Sequence, residues 1–147
     1  MKNELLKICK EFVAEKKDIL QLALEDIKEA MANETKSSVG DKFETTRAHL
    51  QSEQNNLHLQ LIEVNTLETV LNSIDTNHVS AKVELGSYVV TSRSNYFIAI
   101  PIGKMVVDKT TVYGISMASP IGKLLMGKTV GEAITFNGVT SEIKGIA

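Results

Sequence analysis

The sequence predicts an α+β protein built from an N-terminal antiparallel helical hairpin, in the form of a coiled coil, and a small β-rich domain with one short helix. Two observations carry this prediction. Residues 1–75 contain no proline and one glycine, whereas the chain from residue 80 onward holds eight glycines and both prolines. The first part has apolar residues at helical spacing, and the second is rich in β-branched residues. We expect the domains to span residues 1–76 and 77–147.

Apolar stripes mark the two predicted helices. The first helix is expected over residues 3–33, with an approximate stripe that Glu15 and Asp26 interrupt: Leu5, Ile8, Phe12, Ile19, Leu22 and Ile27. The second has a seven-residue repeat of Phe43, Leu50, Leu57, Val64 and Leu71, joined by Leu61, Leu67 and Ile74. A fivefold heptad is a good coiled-coil signal.

A polar break at residues 34–40 separates the two stripes. Because a short connection between long helices makes them antiparallel, we expect a hairpin whose tip lies near residues 35–44. Arms of about 30 residues make a hairpin on the order of 45 Å long, at 1.5 Å rise per residue. Leu57 and Leu61 are expected to face the first helix.

The second half of the chain has the composition of short strands separated by turns. We expect strands at residues 82–85, 87–91, 96–100, 105–107, 111–116, 133–136 and 140–146. Asn137-Gly138 is a strong two-residue hairpin turn signal. A short helix is expected between Ser119, a natural N-cap followed by Pro120, and Gly127, which suits the left-handed residue after a last turn.

Composition excludes several classes of protein. No apolar stretch approaches the ~20 residues of a membrane helix, and we expect a cytoplasmic location. The single cysteine, Cys9, excludes an intramolecular disulfide and a Cys-rich zinc site, and we expect it to be a buried structural thiol. His49, His58 and His78 lack the spacing of a metal pair and are expected to be exposed. The chain shows no complete active site of its own.

Charge is distributed unevenly between the two halves. Residues 1–75 carry nine Lys/Arg and fourteen Asp/Glu, whereas residues 76–147 carry seven Lys/Arg and four Asp/Glu. The halves therefore differ in sign, at −5 and +3. Because the total is negative, we expect only modest direct binding of DNA or RNA. The scarcity of aromatic residues also disfavours a base-stacking platform.

The predicted hairpin tip contains Ser38, Gly40, Asp41 and Glu44. Ser38 and Asp41 have the spacing of a capping box, and carboxylates in a first turn favour the helix dipole. Alternatively, Asp41 and Glu44, three residues apart, share a helix face and could offer two oxygen ligands to Mg²⁺. Two carboxylates bind Mg²⁺ weakly, so they would matter only at an ion already held elsewhere. Both interpretations stay open from spacing alone.

Two segments of the sequence carry a resemblance to a known family. The first is residues 115–132, ISMASPIGKLLMGKTVGE, and the second is Gly40-Asp41-Lys42-Phe43-Glu44. They resemble segments of the Gre transcript-cleavage factors. The first is similar to the family pattern of I-S, S-P-I/L, a short helix and L-I/L-G-K followed by G-D/E, and the second to the tip G-D-L-K-E of the family. The order of the two domains also agrees.

The resemblance implies a transcription elongation factor that is not itself an enzyme. The C-terminal domain would be FKBP-like and would dock on RNA polymerase, and the hairpin would enter the secondary channel. Asp41 and Glu44 would serve as catalytic residues and as metal ligands, jointly with the polymerase site, for a shared Mg²⁺ at which backtracked RNA is cleaved. The segment assigned to docking comprises Ser119, Pro120, Ile121, Lys123, Gly127 and Lys128. The chain would be a monomer without a cofactor of its own and would not bind a membrane. It would contact nucleic acid only through the polymerase complex.

The sequence departs from the family after the tip glutamate. Thr45, Arg47 and Ala48 stand where the family has asparagine, an acidic residue and tyrosine. The alternative function is therefore a channel-binding regulator, or a coiled-coil adaptor, without cleavage activity. A prolyl isomerase, suggested by the FKBP-like fold alone, is disfavoured because fold does not give function and the domain lacks an aromatic-rich pocket.

Overall fold

The computed structural model describes residues 1–36 and 40–147, with the side chains of residues 34–43 outside the described part. It has two long helices followed by a six-stranded sheet with one short helix, which confirms the predicted α+β class. The elements are α1 (Lys2–Lys36), α2 (Gly40–Asn72), β1 (Tyr88–Thr91), β2 (Asn95–Ile98), β3 (Gly103–Val107), β4 (Thr110–Ile115), α3 (Pro120–Leu125), β5 (Ala133–Phe136) and β6 (Val139–Ile146). Among the described residues, no helix is both long and apolar enough to cross a membrane.

The chain divides into two compact units. The hairpin unit comprises Val13–Glu68, and the sheet unit comprises Met1–Phe12 together with Thr69–Ala147. These bounds differ from the expected domain ranges of 1–76 and 77–147, because the first turns of α1 and the last residues of α2 belong with the sheet.

Contacts within the hairpin unit establish that its helices are antiparallel. Lys17 Nζ of α1 lies 3.4 Å from Glu68 Oε2 near the end of α2. Farther along α1, the carbonyl of Met31 accepts a hydrogen bond from the Arg47 guanidinium at 3.4 Å. Residues farther along α1 thus contact residues nearer the start of α2. The connection lies between Lys36 and Gly40, as the polar break predicts.

The heptad of α2 has the exposure expected of a buried seam. Val64 is buried, and Leu50, Leu57 and Leu61 are half-buried. Leu57 lines a groove together with Ala23 and Ile27 of α1, in agreement with the prediction that it faces the first helix.

The predicted stripe of α1 is wrong at two positions. Ile19 is 60 % exposed and Leu22 is 62 % exposed. The buried or half-buried positions between residues 13 and 31 are Val13, Lys17, Leu20, Ala23, Leu24, Ile27, Ala30 and Met31. Six of them alternate in spacings of four and three residues, as in a regular heptad seam: Val13, Lys17, Leu20, Leu24, Ile27 and Met31. One of these seam positions is Lys17, whose aliphatic stem can be buried while its amine reaches Glu68. The seam is therefore not recognisable in the sequence as a continuous apolar stripe.

The sheet has the strand order β3-β4-β2-β1-β6-β5. All neighbouring strands are antiparallel except β2 and β4, which are parallel with Phe97 beside Gly114. One hydrophobic core of the sheet unit includes α3, because Leu125 of this helix packs with Val83 and with buried residues of the strands. Its buried members are Val83, Val89, Ile98, Leu125, Ile134 and Ile143.

The start of α1 lies over the face of the sheet opposite to that core. Phe97, Met105 and Val112 are at most 4 % exposed, although they belong to strand positions that point away from Ile98 and Val89. Cys9 of α1 is fully buried, and its Sγ lies 3.9 Å from Met105 Sδ. The second face of the sheet therefore packs against α1 within the sheet unit.

The predicted strand at residues 82–85 is wrong. This segment makes one isolated bridge, between Lys82 and Thr129. Val83 N donates to the Lys128 carbonyl at 2.9 Å, and Gly127 N donates to the Val83 carbonyl at 2.8 Å. The chain then turns at Gly86, whose φ of +88° suits glycine. Residues 82–85 thus pair with the short loop after α3, and the turn ends the pairing before a ladder can form.

Local turn and cap signals are confirmed. The Ser119 hydroxyl accepts a hydrogen bond from Gly122 N at 3.0 Å, with Pro120 as the first helical residue. Gly127 has a φ of +77°. Asn137 and Gly138 both have positive φ, at 51° and 76°, between two antiparallel strands as a two-residue hairpin requires.

Two leucines of α2 provide a test of this packing. Leu71→Ala should lower the free energy of unfolding by about 2–5 kcal/mol, because Leu71 is 1 % exposed and its truncation leaves a cavity. Leu59→Ala, the matched control on the same helix, should change it by less than about 0.5 kcal/mol, since Leu59 is 63 % exposed. Urea unfolding followed by circular dichroism measures both. Equal losses in the two variants would contradict the burial described here.

Candidate functional site

The candidate acidic tip lies at the start of α2. The helix begins at Gly40, and Glu44 follows four residues later with an exposed side chain. Ser38 lies outside the described residues, and so does the side chain of Asp41. The assignment of Asp41 and Glu44 as catalytic residues and metal ligands therefore stays a prediction. Glu44 is the described carboxylate available to a partner at this end of the hairpin.

Arg47 lies three residues after Glu44 and connects the two helices. Its guanidinium donates to the Met31 carbonyl of α1 at 3.4 Å, and its side chain is half-buried. The sequence predicts that Arg47 could neutralise Glu44 across a helical turn. In the structure its described hydrogen bond runs to α1, so this cation helps hold the tip end of the hairpin together.

The candidate docking segment is built around a well-defined loop and the helix α3. Besides accepting from Gly122 N, the Ser119 hydroxyl donates to the Ser116 carbonyl at 2.8 Å. A Cβ at position 122 would lie 2.0 Å from that same carbonyl oxygen, so glycine is required there. These contacts fix the path of the chain from β4 into α3.

Exposure separates the six predicted docking residues into two groups. Pro120, Lys123 and Gly127 are exposed, whereas Ser119, Ile121 and Lys128 are half-buried. Ser119 caps α3, and Ile121 packs against the core of the sheet unit. Pro120 and Lys123 therefore present the most surface to a partner, while Ser119 and Ile121 shape the segment. The docking role of all six stays a prediction.

An acidic side chain, that of Glu132, follows this segment in the sequence. Glu132 accepts hydrogen bonds from Thr129 N at 2.6 Å and from the Thr129 hydroxyl at 3.2 Å. These hydrogen bonds lower the pKa of Glu132, and the positive charges of Lys128 and Lys82 act in the same direction. Glu132 is thus an anion that orders the turn following Lys128.

A polar cleft in the sheet unit is not apparent from the sequence. It has a volume of about 370 Å³ and is lined by Lys2, Ser73, Asp75, His78, Glu84, Leu85, Gly86 and Ser87. Lys2 is 9 % exposed, and its Nζ donates to the His78 carbonyl at 2.7 Å. His78 Nε2 lies 2.8 Å from Glu84 Oε1.

Burial lowers the pKa of Lys2, and the charges of Asp75 and Glu84 oppose that shift. These contacts fasten the connection after α2 to the start of α1. The one signal available in sequence is the position of Lys2, which precedes the buried Leu5 by three residues.

The histidines behave as the sequence predicts. His49, His58 and His78 are all exposed, and His49 Nε2 lies 3.5 Å from Glu53 Oε1 one turn on. Within residues 1–36 and 40–147, so far as they are described, no three His, Cys, Asp or Glu residues are grouped to hold a metal ion.

Cys9 is the buried thiol that the sequence predicts. It is fully enclosed, and burial raises its pKa to about 11. Because the thiolate is the reactive form, this environment suppresses nucleophilic chemistry at Cys9.

No family model matches the chain, and no curated protein matches it. A solved structure described as the transcription factor Gfh1 is similar, with 22 % identity over 88 % of this chain and 90 % of that chain, at a TM-score of 0.32. Similarity at this level establishes neither a family nor a function.

The raised pKa of Cys9 leads to a prediction. Its folded value of about 11 lies above the unfolded value of about 8.5, so the stabilisation from the neutral thiol is complete below pH ~8.5 and is lost as the pH rises toward 11. At pH 8, iodoacetamide should leave Cys9 of the folded chain unmodified while it alkylates the urea-unfolded chain, as measured by mass spectrometry. Rapid alkylation of the folded chain would show that Cys9 is accessible.

Proposed function

We propose that this chain is a transcription factor that binds RNA polymerase through the sheet unit and stimulates cleavage of backtracked RNA through the tip of its hairpin. One observation carries the proposal: of two antiparallel helices of 35 and 33 residues, the second begins with the segment Gly40-Asp41-Lys42-Phe43-Glu44, in the same chain as the capped α3 segment. At 1.5 Å rise per residue, helices of this length are on the order of 50 Å long, so the first turn of α2 is far from its other end.

The chemistry proposed for the tip is limited by its ligands. Magnesium favours six oxygen ligands, and two carboxylates supply too few to hold it alone. Asp41 and Glu44 fit an ion that a partner already holds, because both are hard oxygen donors separated by one helical turn. A magnesium ion bound in this way lowers the pKa of water and stabilises developing charge on phosphate oxygens. The contribution of this chain is to deliver the two carboxylates, while Arg47 secures the helices behind them.

The tip carboxylates provide the direct test. The double variant Asp41→Asn and Glu44→Gln should keep the helical content and the affinity for RNA polymerase, because asparagine and glutamine suit a helix start. It should abolish the shortening of end-labelled RNA in stalled elongation complexes, since the oxygen ligands lose their charge. Glu25→Gln, an exposed change on α1, is the matched control and should cleave like the wild type. If the double variant cleaves as well as the wild type, the two residues are only a helix cap.

A second candidate function is a channel-binding regulator without cleavage activity. The observation that favours it is Arg47, a cation one turn from Glu44 where the resembled family has an acidic residue. The same assay separates the two functions, because a regulator binds the polymerase but leaves the RNA uncut and inhibits an active cleavage factor. In that case, Arg47→Glu should confer cleavage, and Arg47→Gln is the control for the lost bond to Met31.

The docking segment gives an independent prediction. Lys123→Glu and Lys128→Glu should each weaken binding to RNA polymerase severalfold, on the order of 1 kcal/mol per reversed charge, and binding of the wild type should weaken with salt. Lys109→Glu, at the turn between β3 and β4, is the matched control for net charge. Surface-immobilised polymerase at two salt concentrations measures all three. Binding that responds only to changes in the hairpin would contradict the assignment of docking to α3.

A further inference from the structure

The back of α2, away from α1, carries a second seven-residue pattern. The inner seam of this helix is formed by buried or half-buried side chains: Leu50, Gln54, Leu57, Leu61, Val64 and Glu68. A position two residues before each of these lies about 200° around the helix, on the opposite side. The six positions found in this way are all exposed, and they are called here the outer stripe: Ala48, Ser52, Asn55, Leu59, Ile62 and Thr66.

The composition of the outer stripe is unusual for a helix face in water. The outward face of a helix is ordinarily rich in charged residues, but the outer stripe contains none. Leu59 and Ile62, at its centre, are 63 % and 61 % exposed. Spacings that alternate between four and three residues, with aliphatic side chains at the centre, are typical of a helix that packs against another helix.

The back of α1 provides a comparison within the same hairpin. The equivalent positions on that helix are all exposed as well: Glu15, Ile19, Leu22, Asp26 and Glu29. An antiparallel second copy that placed Ile19 opposite Leu22 would also place Glu15 opposite Asp26. Because like charges that face each other weaken an interface, the back of α1 is unsuited to self-association.

The outer stripe is self-complementary when two copies pack antiparallel. A two-fold axis between residues 60 and 61 places Leu59 of one copy opposite Ile62 of the other. The same axis places Asn55 opposite Thr66. Aliphatic side chains thus meet aliphatic ones and polar side chains meet polar ones, as the interface of a two-fold dimer requires.

Hydrogen bonds within α2 determine how Asn55 and Thr66 can interact. Asn55 Oδ1 accepts a hydrogen bond from Gln51 Nε2 at 3.0 Å, so the Asn55 amide retains its N–H donors. The Thr66 hydroxyl donates to the Ile62 carbonyl at 3.0 Å, and its oxygen remains an acceptor. Asn55 of one copy can therefore donate to Thr66 of the other. A polar contact of this kind fixes the register of paired helices.

The residues that flank the outer stripe are also compatible with a second copy. In the antiparallel arrangement, Asn56 lies near Glu63 of the other copy, where its amide can donate to the carboxylate. His58 lies near Asn65 on the other flank. No like-charged side chains face each other along these flanks.

Charge disfavours nucleic acid and lipid as partners of the outer stripe. Residues 48–73 contain no lysine or arginine, whereas both of those partners attract basic side chains. Lys16 and Lys17 lie at the same level of the hairpin but belong to α1. Lys17 Nζ is 3.4 Å from Glu68 Oε2, and Lys16 lines a groove between the two helices together with Glu63. Carboxylates of α2 thus accompany these two cations.

We infer that the outer stripe is a self-association surface, at which α2 of a second copy packs antiparallel with Leu59 opposite Ile62. This inference does not depend on the proposed function, and it differs from the monomer that the resemblance to the Gre factors implies. Burial of Leu59 and Ile62 from both copies supplies the affinity, while Asn55 and Thr66 set the register.

Analytical ultracentrifugation of the full chain tests the surface. The wild type should show a monomer–dimer equilibrium. Leu59→Gln and Ile62→Gln should each weaken dimerisation by about tenfold or more, because each change removes two aliphatic side chains from the two-fold interface. Leu22→Gln is the matched control, since Leu22 of α1 is 62 % exposed, and it should dimerise like the wild type. At concentrations low enough for monomers, all three variants should melt close to the wild-type temperature.

Disulfide formation between introduced cysteines tests the direction of packing. Cys9 is fully buried and does not compete for oxidation. An equimolar mixture of Asn55→Cys and Thr66→Cys chains should form a mixed disulfide, which is identified by its mass. Ser52→Cys should not link to itself, because antiparallel packing separates these two positions by about 25 Å along the helices.

Each outcome of these experiments decides the inference. The mixed disulfide, together with weaker dimerisation of Leu59→Gln and Ile62→Gln, supports it. A wild type that is monomeric at every concentration overturns it, as does a dimer that Leu22→Gln weakens equally. Self-linking of Ser52→Cys would show a parallel dimer and would also overturn it. If the wild type is monomeric and Leu59→Gln instead weakens binding to RNA polymerase, the occupant of the stripe is a different protein and the inference is wrong.

Discussion

The packing of the start of α1 against the sheet is the constraint on which the sheet unit depends. Phe97, Met105 and Val112 are almost fully buried on one face of the sheet, and the buried Cys9 of α1 contacts this face through Met105. The opposite face has its own cover in α3 and Leu125. A six-stranded sheet thus acquires two cores, one closed by a helix inside the β-rich segment and the other by a helix from the far end of the chain. Lys2 and His78 fasten the same helix to the connection after α2.

This arrangement changes how the chain can be divided. Cutting at residue 76, where composition changes most sharply, would remove α1 and expose a face that is buried in the intact protein. The sheet unit accordingly comprises Met1–Phe12 together with Thr69–Ala147. Binding experiments are therefore designed on the full chain, since loss of binding by residues 77–147 alone would reflect an uncovered sheet as readily as a lost hairpin.

Local chemistry made much of this fold predictable. Ser119, Gly127 and Asn137-Gly138 each satisfy a backbone requirement within a few residues, and the helix cap and turn lie where those residues predict. The signals failed where the deciding contact is distant in sequence. Lys17 occupies a seam position that only the carboxylate of Glu68 explains, and residues 82–85 lack a strand because their partner is the loop at 127–129. At the candidate site, sequence identified Glu44 and Arg47, but the bond from Arg47 to Met31 required the antiparallel helices to be known.

The hairpin seam also explains why apolar residues remain on its surface. Its two helices bury one stripe each, and on α1 one seam position is occupied by Lys17, whose half-exposed ion pair with Glu68 contributes at most about 1 kcal/mol. Ile19 and Leu22 would add more stability as seam residues than Lys17 does, yet they lie outside the seam. Folding of the hairpin buries none of its four large exposed aliphatic residues, Ile19, Leu22, Leu59 and Ile62, each of which is at least 60 % exposed.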